Sequence, residues 1–410
     1  MGFITILDHL VVSGSRFLIS VALARLLGLH EFGLYSLLWT IVTFAGAIQI
    51  PVAITPMMQL GAKTPAHREA AFFRAALLVQ VAYHLGAVVI VTLVGCVVLW
   101  SRTDLLETVI ALNIYVLFYN HWEFVRRLYY TKALARRVLA LDTSLYMAVG
   151  LVLLVLHLQA RLNIASFLAL SAVPAALLSC LTVGAFPRKA LSPVHIEAYC
   201  RRIWAIAKPS LISNVANFVS GHVFVYATAL FLSASAVGAI TASRNIFGPL
   251  MILLMALENA TTRDAVLIHS KDPAGLKKYM ARVRRLWLAW VGCYVVAAIL
   301  FKGAALELVY GLEFRQYENL IVWFAVAHLI QFFSKIQTIE LRIQGHYDAI
   351  KSANMTTMWL CLALSVPLVY QFGLSGAMFS ILMQQLAVLH FQAHPIRLDS
   401  RFGFIPVGRH

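Results

Sequence analysis

Two arginines lie in stretches so apolar that their charge needs an explanation. Arg16 belongs to MGFITILDHLVVSGSRFLISVALARLLGLHEFGLY (1–35), an apolar run into which Asp8, His9, Arg16 and Arg25 are set. At helical rise, Arg16 lies roughly 12 Å beyond Asp8 and Arg25 roughly 25 Å beyond it. With Asp8 at one face of a hydrocarbon core about 30 Å thick, Arg16 falls near the middle. A charge at that depth costs at least about 2.5–3.5 kcal/mol. Helical periodicity gathers Asp8, His9, Ser13, Arg16 and Ser20 into one polar stripe, which must face other helices or water rather than lipid. Arg25 points nearly the opposite way and reads either as a snorkelling anchor or as a further ligand. Arg244, beside Thr241, Ser243 and Asn245, is roughly 12 Å inside its own apolar segment. The chemistry open to such groups is binding of a ligand in a cavity or pairing with a buried carboxylate. Nothing in the sequence arranges nucleophile, acid and base for catalysis, and a nucleotide-binding glycine loop is absent.

Other polar stripes accompany them. Ser210, Ser213, Asn214, Asn217, Ser220 and Gly221 recur at helical spacing. Asn113, Tyr119, Asn120 and Glu123 mark another helix, and His328, Gln331 and Lys335 a third. Together they suggest a hydrophilic cavity lined by Asp8, His9, Arg16, Asn214, Asn217, Arg244 and, at its margins, Arg25 and Lys335. The competing account is helix-packing glue, since small and polar side chains also hold membrane helices together. Glu123 precedes Arg126 and Arg127 by three and four residues, which favours a local ion pair. Lys335 is placed to snorkel to the surface.

The elements that must position these residues are membrane helices. The 410-residue chain is 61% hydrophobic and 12% charged, with mean hydropathy +0.81. Soluble domains are about 45–50% apolar and about 25% charged. Apolar segments fall at 3–27, 31–60, 71–100, 105–128, 134–158, 163–185, 203–231, 235–261, 284–301, 316–339, 351–371 and 373–394. The first is too long for a signal peptide and is expected to stay as a span. With the amino terminus in the cytoplasm, only Arg102, Arg161, Lys302 and Arg315 fall in outer breaks, and the other loop lysines and arginines lie inside. The net charge of +16 is therefore a topology signal and a surface for anionic lipid headgroups, with no nucleic-acid partner. Both termini are expected in the cytoplasm.

The expected fold is all-α: twelve transmembrane helices in two six-helix lobes around a central cavity. The lobes span 1–186 and 203–396, with a cytoplasmic linker at 187–202 and a short tail at 397–410. Laying Leu27–Gly33 over Leu232–Gly238 sets Asp8 and His9 over Ser213 and Asn214, a weak repeat between lobes of like orientation. Pro51, Pro56 and Pro249 are expected to kink their helices. The five cysteines, Cys96, Cys180, Cys200, Cys293 and Cys361, form no CxxC pair, and neither a metal site nor a cofactor is expected.

Three segments carry a resemblance. ALARLLGLHEFGLYSLLW (22–39) contains Ala-Arg-x-Leu-Gly-x-x-x-Phe-Gly, ALELVYGLEFRQYENLI (305–321) contains Tyr-Gly-x-x-Phe, and RIQGHYDAIKSANMTTMWLCLALSVPLVYQFGLSGA (342–377) ends in Gly-x-x-Gly-Ala. In this order the chain resembles the polysaccharide-transporter branch of the multidrug/oligosaccharidyl-lipid/polysaccharide flippase superfamily. The resemblance implies a monomeric, multi-pass protein of the bacterial inner membrane. It would flip a lipid-linked oligosaccharide, usually on undecaprenyl diphosphate, by alternating access, for a surface polysaccharide such as O-antigen or exopolysaccharide. Arg16 and Arg244 would then hold the diphosphate, because a guanidinium binds it bidentately. The other expected partners are membrane lipids and a coupling ion, proton or sodium. A drug/cation antiporter of the same superfamily is the alternative, although Asp8, Asp142 and Glu258, the carboxylates available for coupling, all lie near helix ends. A membrane glycan polymerase or ligase is disfavoured by the short outer loops, so the chain is not read as an enzyme.

Overall fold

A computed structural model describes residues 2–61, 63–99, 103–183 and 193–402, nearly all of them helical. The elements in chain order are α1 (Gly2–Gln49), a π-helical turn (Ile50–Ile54), α2 (Thr55–Gly61), α3 (Ala66–Val98), α4 (Leu105–Thr131), α5 (Ala135–Leu158) and α6 (Ile164–Val183). They continue with α7 (Pro193–Phe231), α8 (Ala234–Asn245), α9 (Gly248–Lys271), α10 (Pro273–Leu300), α11 (Lys302–Tyr310), a 3-10 turn (Leu312–Tyr317), α12 (Asn319–Ile343) and α13 (Tyr347–Phe402). In bilayer hydrocarbon, a helix satisfies its own backbone polar groups, which explains why so apolar a chain takes this form.

Local sequence explains where the helices bend. Gly28 (φ 79°) breaks α1 and Gly373 (φ 58°) breaks α13, both in a left-handed conformation that costs glycine little. Pro51 lies in the π-helical turn after α1, where its missing N–H opens the ladder. Pro249 stands in the first turn of α9, and α8 and α9 meet at 48°. Among the described residues, six helical runs are long and apolar enough to cross a membrane, or seven if α8 and the start of α9 form one broken span. Two of the six, Leu7–Gly61 and Tyr347–Ala393, contain the glycine breaks.

Contacts divide the chain into Met1–Phe218 and Val219–His410, with the boundary inside α7. Of the expected linker, 187–192 lie outside the described residues and 193–202 begin α7. Residues 403–410 of the expected tail are also outside them. In the first unit α4 lies along α6, α1 packs on α5, and α3 on α4. One core cluster joins Met57 of α2, Phe73 and Ala76 of α3, Phe124 and Leu128 of α4, and Ile203 of α7. In the second unit α12 is central, packed by α8, α9, α10 and α13. Leu85, Val97, Leu151 and Leu300 are more than half exposed, as expected for faces turned to lipid.

Candidate functional site

The most heavily charged place in the first unit is closed. Arg126 of α4 lies 2.5 Å (Nε) from Asp142 Oδ2 of α5 and 2.7 Å (Nη2) from Asp8 Oδ2 of α1. The arginine side chain is 4% exposed and the two carboxylates 1% or less. Trp122 Nε1 donates to Asp142 Oδ1 at 3.0 Å, and the Tyr130 hydroxyl donates to Asp8 Oδ2 at 2.5 Å. Glu123 adds Arg126 at 3.3 Å and Arg127 at 3.0 Å, the pairing that the helical spacing predicts. Every nitrogen of the Arg126 guanidinium therefore faces a carboxylate. The half-buried His9 lies within electrostatic reach of this group.

Arg16, two turns further along α1, has quite different partners. Its Nε donates to the Tyr146 hydroxyl of α5 at 2.7 Å, and its Nη2 to the Tyr119 hydroxyl of α4 at 2.5 Å. The guanidinium carbon lies 5.6 Å from the Tyr119 ring centre and 5.9 Å from that of Tyr146, within cation–π range. Arg16 forms no ion pair among the described residues. Tyr119 is also packed against Tyr115 (5.4 Å, stacked) and Trp39 (5.7 Å, edge-on), and Trp39 against Tyr35 (6.2 Å). An aromatic cluster thus holds a cation that no carboxylate touches among the described residues, with Glu123 within electrostatic reach but paired to Arg126 and Arg127.

Between α1, α3 and α4 runs a buried neutral network. Gln49 Nε2 donates to Asn120 O at 2.6 Å and to Gln80 Oε1 at 3.1 Å, and Gln80 Nε2 lies 3.0 Å from His84 Nε2. Asn120 Nδ2 donates to the Tyr83 hydroxyl, which donates to Ala45 O. The His84 and His121 rings are 5.7 Å apart.

In the second unit Arg244 is half-buried in the last turn of α8, beside the bend, and its side chain makes no hydrogen bond or ion pair among the described residues. His328 lies within its electrostatic reach and stacks on Phe247 at 4.7 Å. The 2.7 Å contact from His328 Nδ1 to the Phe324 carbonyl requires a proton on Nδ1, because a carbonyl only accepts. Lys335 reaches Glu258 at 3.1 Å, and Arg342 binds the same carboxylate.

No protein-family model matches the chain, and no curated protein matches it in sequence. Solved structures do match. The lipid II flippase MurJ in an inward closed conformation aligns at TM-score 0.74 and 8% identity, covering 97% of this chain and 87% of that one. An inward-facing multidrug resistance MATE family transporter of the MOP superfamily aligns at 0.70 and 11%, covering 97% and 96%. The chain has the fold of the multidrug/oligosaccharidyl-lipid/polysaccharide flippase superfamily. A third structure with this MOP fold, a transporter from Pyrococcus furiosus described as having a binding pocket of reversed polarity, aligns at 0.61 and 11%, covering 96% and 95%.

Within each unit, the residues singled out in the sequence take separate partners. Asp8 and Arg16 share a stripe of α1 but not a partner, since the Asp8 carboxylate is engaged by Arg126 and Tyr130. Asn214 is half-buried on α7, while Asn217 and Arg25 are exposed. Lys335 belongs to the Glu258 pair. Asp8 and Asp142 are deeply buried despite lying toward helix ends. The sequence reading missed the role of Arg126 as the centre of the closed cluster, and it missed Gln49, Gln80 and His84. It also passed over the cage residues Tyr35, Trp39, Tyr115 and Tyr146. A signal existed for four aromatics, because Tyr35 and Trp39, like Tyr115 and Tyr119, are four residues apart on one helix face.

Proposed function

We propose that this chain is a flippase that carries a lipid-linked oligosaccharide, on undecaprenyl diphosphate, across the bacterial inner membrane by alternating access. The product would serve surface polysaccharide biosynthesis. The observation that carries the reading is the neutral coordination of Arg16. A guanidinium has five N–H donors, and two hydroxyls occupy two of them, leaving three for a ligand. Neutral partners fix the orientation of the fork without cancelling its charge, so an anion is the natural complement. In the second unit, Arg244 is likewise a cation without an ion pair among the described residues. The likeness to a lipid II flippase supports a lipid-linked cargo. The same reading has twelve spans in lobes 1–186 and 203–396, a cytoplasmic linker and cytoplasmic termini, a monomer, and coupling to a proton or sodium. The left-handed glycines at 28 and 373 support that span count, because each interrupts a helix where a tight hairpin is required.

The test is export of the lipid-linked glycan, measured beside membrane abundance and thermal stability. Arg16→Ala should abolish export while the protein accumulates normally. Arg16→Lys should restore part of it, because an ammonium lacks the planar fork. Export at the wild-type rate by Arg16→Ala defeats the proposal. Drug/cation antiport is the second reading, favoured by the MATE likeness and by the burial of Asp8 and Asp142. Both carboxylates are engaged by Arg126, which leaves that reading the weaker one.

A further inference from the structure

The cage around Arg16 contains more polar capacity than the protein uses. Tyr35 and Trp39 of α1, Tyr115 and Tyr119 of α4 and Tyr146 of α5 are all only half-buried. The hydroxyls of Tyr35, Tyr115, Tyr119 and Tyr146 all lie within electrostatic reach of the Arg16 guanidinium. Tyr119 and Tyr146 accept from it. Tyr35, Tyr115 and the Trp39 indole N–H have no hydrogen-bond partner among the described residues. A purely structural aromatic cluster in a membrane helix needs neither these hydroxyls nor the arginine; leucine and phenylalanine would fill the space without polar atoms.

Three ligand classes could meet such a surface. An organic cation is favoured by bare aromatic cages, but here a guanidinium already occupies the cage and would repel it. A plain acyl chain would leave the spare donors and the charge unused. A sugar ring joined to phosphate satisfies every component. The C–H face of a pyranose packs on an aromatic ring as another flat apolar surface does. Its hydroxyls pair with the phenols and the indole N–H, and its phosphate takes the remaining Arg16 donors.

We infer that Tyr35, Trp39 and Tyr115 form a platform for the phosphate-proximal sugar ring of the cargo, beside the anionic group held by Arg16. This inference rests on the proposed anion role of Arg16 and extends it: the site reads glycosyl phosphate, not phosphate alone.

The experiment measures binding to the full-length protein in lipid nanodiscs. The probes are undecaprenyl diphosphate, undecaprenyl diphosphate carrying one glucose, galactose or N-acetylglucosamine, and the same sugars as soluble 1-phosphates. Trp39→Leu and Tyr115→Leu should weaken the best sugar-bearing lipid about tenfold and leave the bare diphosphate lipid unchanged. Tyr115→Phe, which keeps the ring and the fold, should weaken the sugar lipid only a few-fold. Arg16→Ala should weaken both lipids. A soluble sugar 1-phosphate that binds as tightly as the sugar lipid, and is equally sensitive to Trp39→Leu, would make a free sugar phosphate the ligand source. Equal loss of both lipids in Trp39→Leu and Tyr115→Leu, or loss of neither, overturns the platform. So does a cation such as tetraphenylphosphonium if it binds in a Trp39-dependent manner. Bare-diphosphate binding unchanged by Arg16→Ala sinks the anion role instead, and sugar discrimination by Trp39 can still be read in that outcome.

Discussion

Two guanidinium groups in the first unit meet opposite surroundings. Arg126 is wrapped by Asp8, Asp142 and Glu123 and is 4% exposed. Arg16 is held by two phenols and remains half-buried. Burying a charge is expensive, and only an opposite charge or dense hydrogen bonding offsets the cost. Arg126 receives that compensation in full, ties α1, α4 and α5 together, and has no donor nitrogen to spare. Arg16 receives orientation from neutral hydroxyls, and the nearby Glu123 is committed to Arg126 and Arg127. Depth and apolarity of the flanking sequence do not distinguish these two arginines. The charge of the partners does.

The largest expected effect lies at Arg126. Arg126→Ala should leave two buried carboxylates unpaired and cost about 3–5 kcal/mol, seen as loss of membrane abundance and a lowered thermal midpoint. The same truncation at Arg16 should leave abundance intact while export is lost. If Arg126→Ala accumulates normally and Arg16→Ala does not, the contrast between the two arginines is reversed.

A smaller effect sharpens the account of Arg16. Tyr119→Phe and Tyr146→Phe each remove one hydroxyl and keep the ring. Each should cost about 0.5–1.5 kcal/mol in how firmly the guanidinium is held, read as a several-fold fall in export at unchanged abundance. The double variant should approach Arg16→Lys. Single variants that export as well as wild type would show that the phenols do not position the guanidinium.

The smallest effect is expected in the second unit. Glu258 joins Lys335 and Arg342 near the surface, and both basic side chains are at least one-third exposed. Glu258→Gln should shift stability by no more than about 1 kcal/mol, with the shift shrinking further in high salt. A loss comparable with that of Arg126→Ala would mean that this exposed cluster holds the unit together as the buried one does.

Much of this molecule was written in short-range sequence. Runs of apolar residues determined the helices, because a chain in hydrocarbon must satisfy its own backbone. Gly28 and Gly373 marked breaks, since left-handed backbone there costs glycine little, and Pro249 marked the bend between α8 and α9. The Glu123–Arg127 pair followed from helical spacing alone. Tertiary structure decided which stripe meets which. Asp8 and Arg126 are 118 residues apart in the chain, and Arg16 and Tyr146 are 130 apart. A helix's period states which residues share a face, but it carries no information about the helix that packs against that face. Asp8 and Arg16 therefore shared one stripe in the sequence, yet packing gave the carboxylate to Arg126 and the guanidinium to tyrosines. The separation of a closed ion cluster from a phenol-held cation came from α4 and α5 folding back against α1.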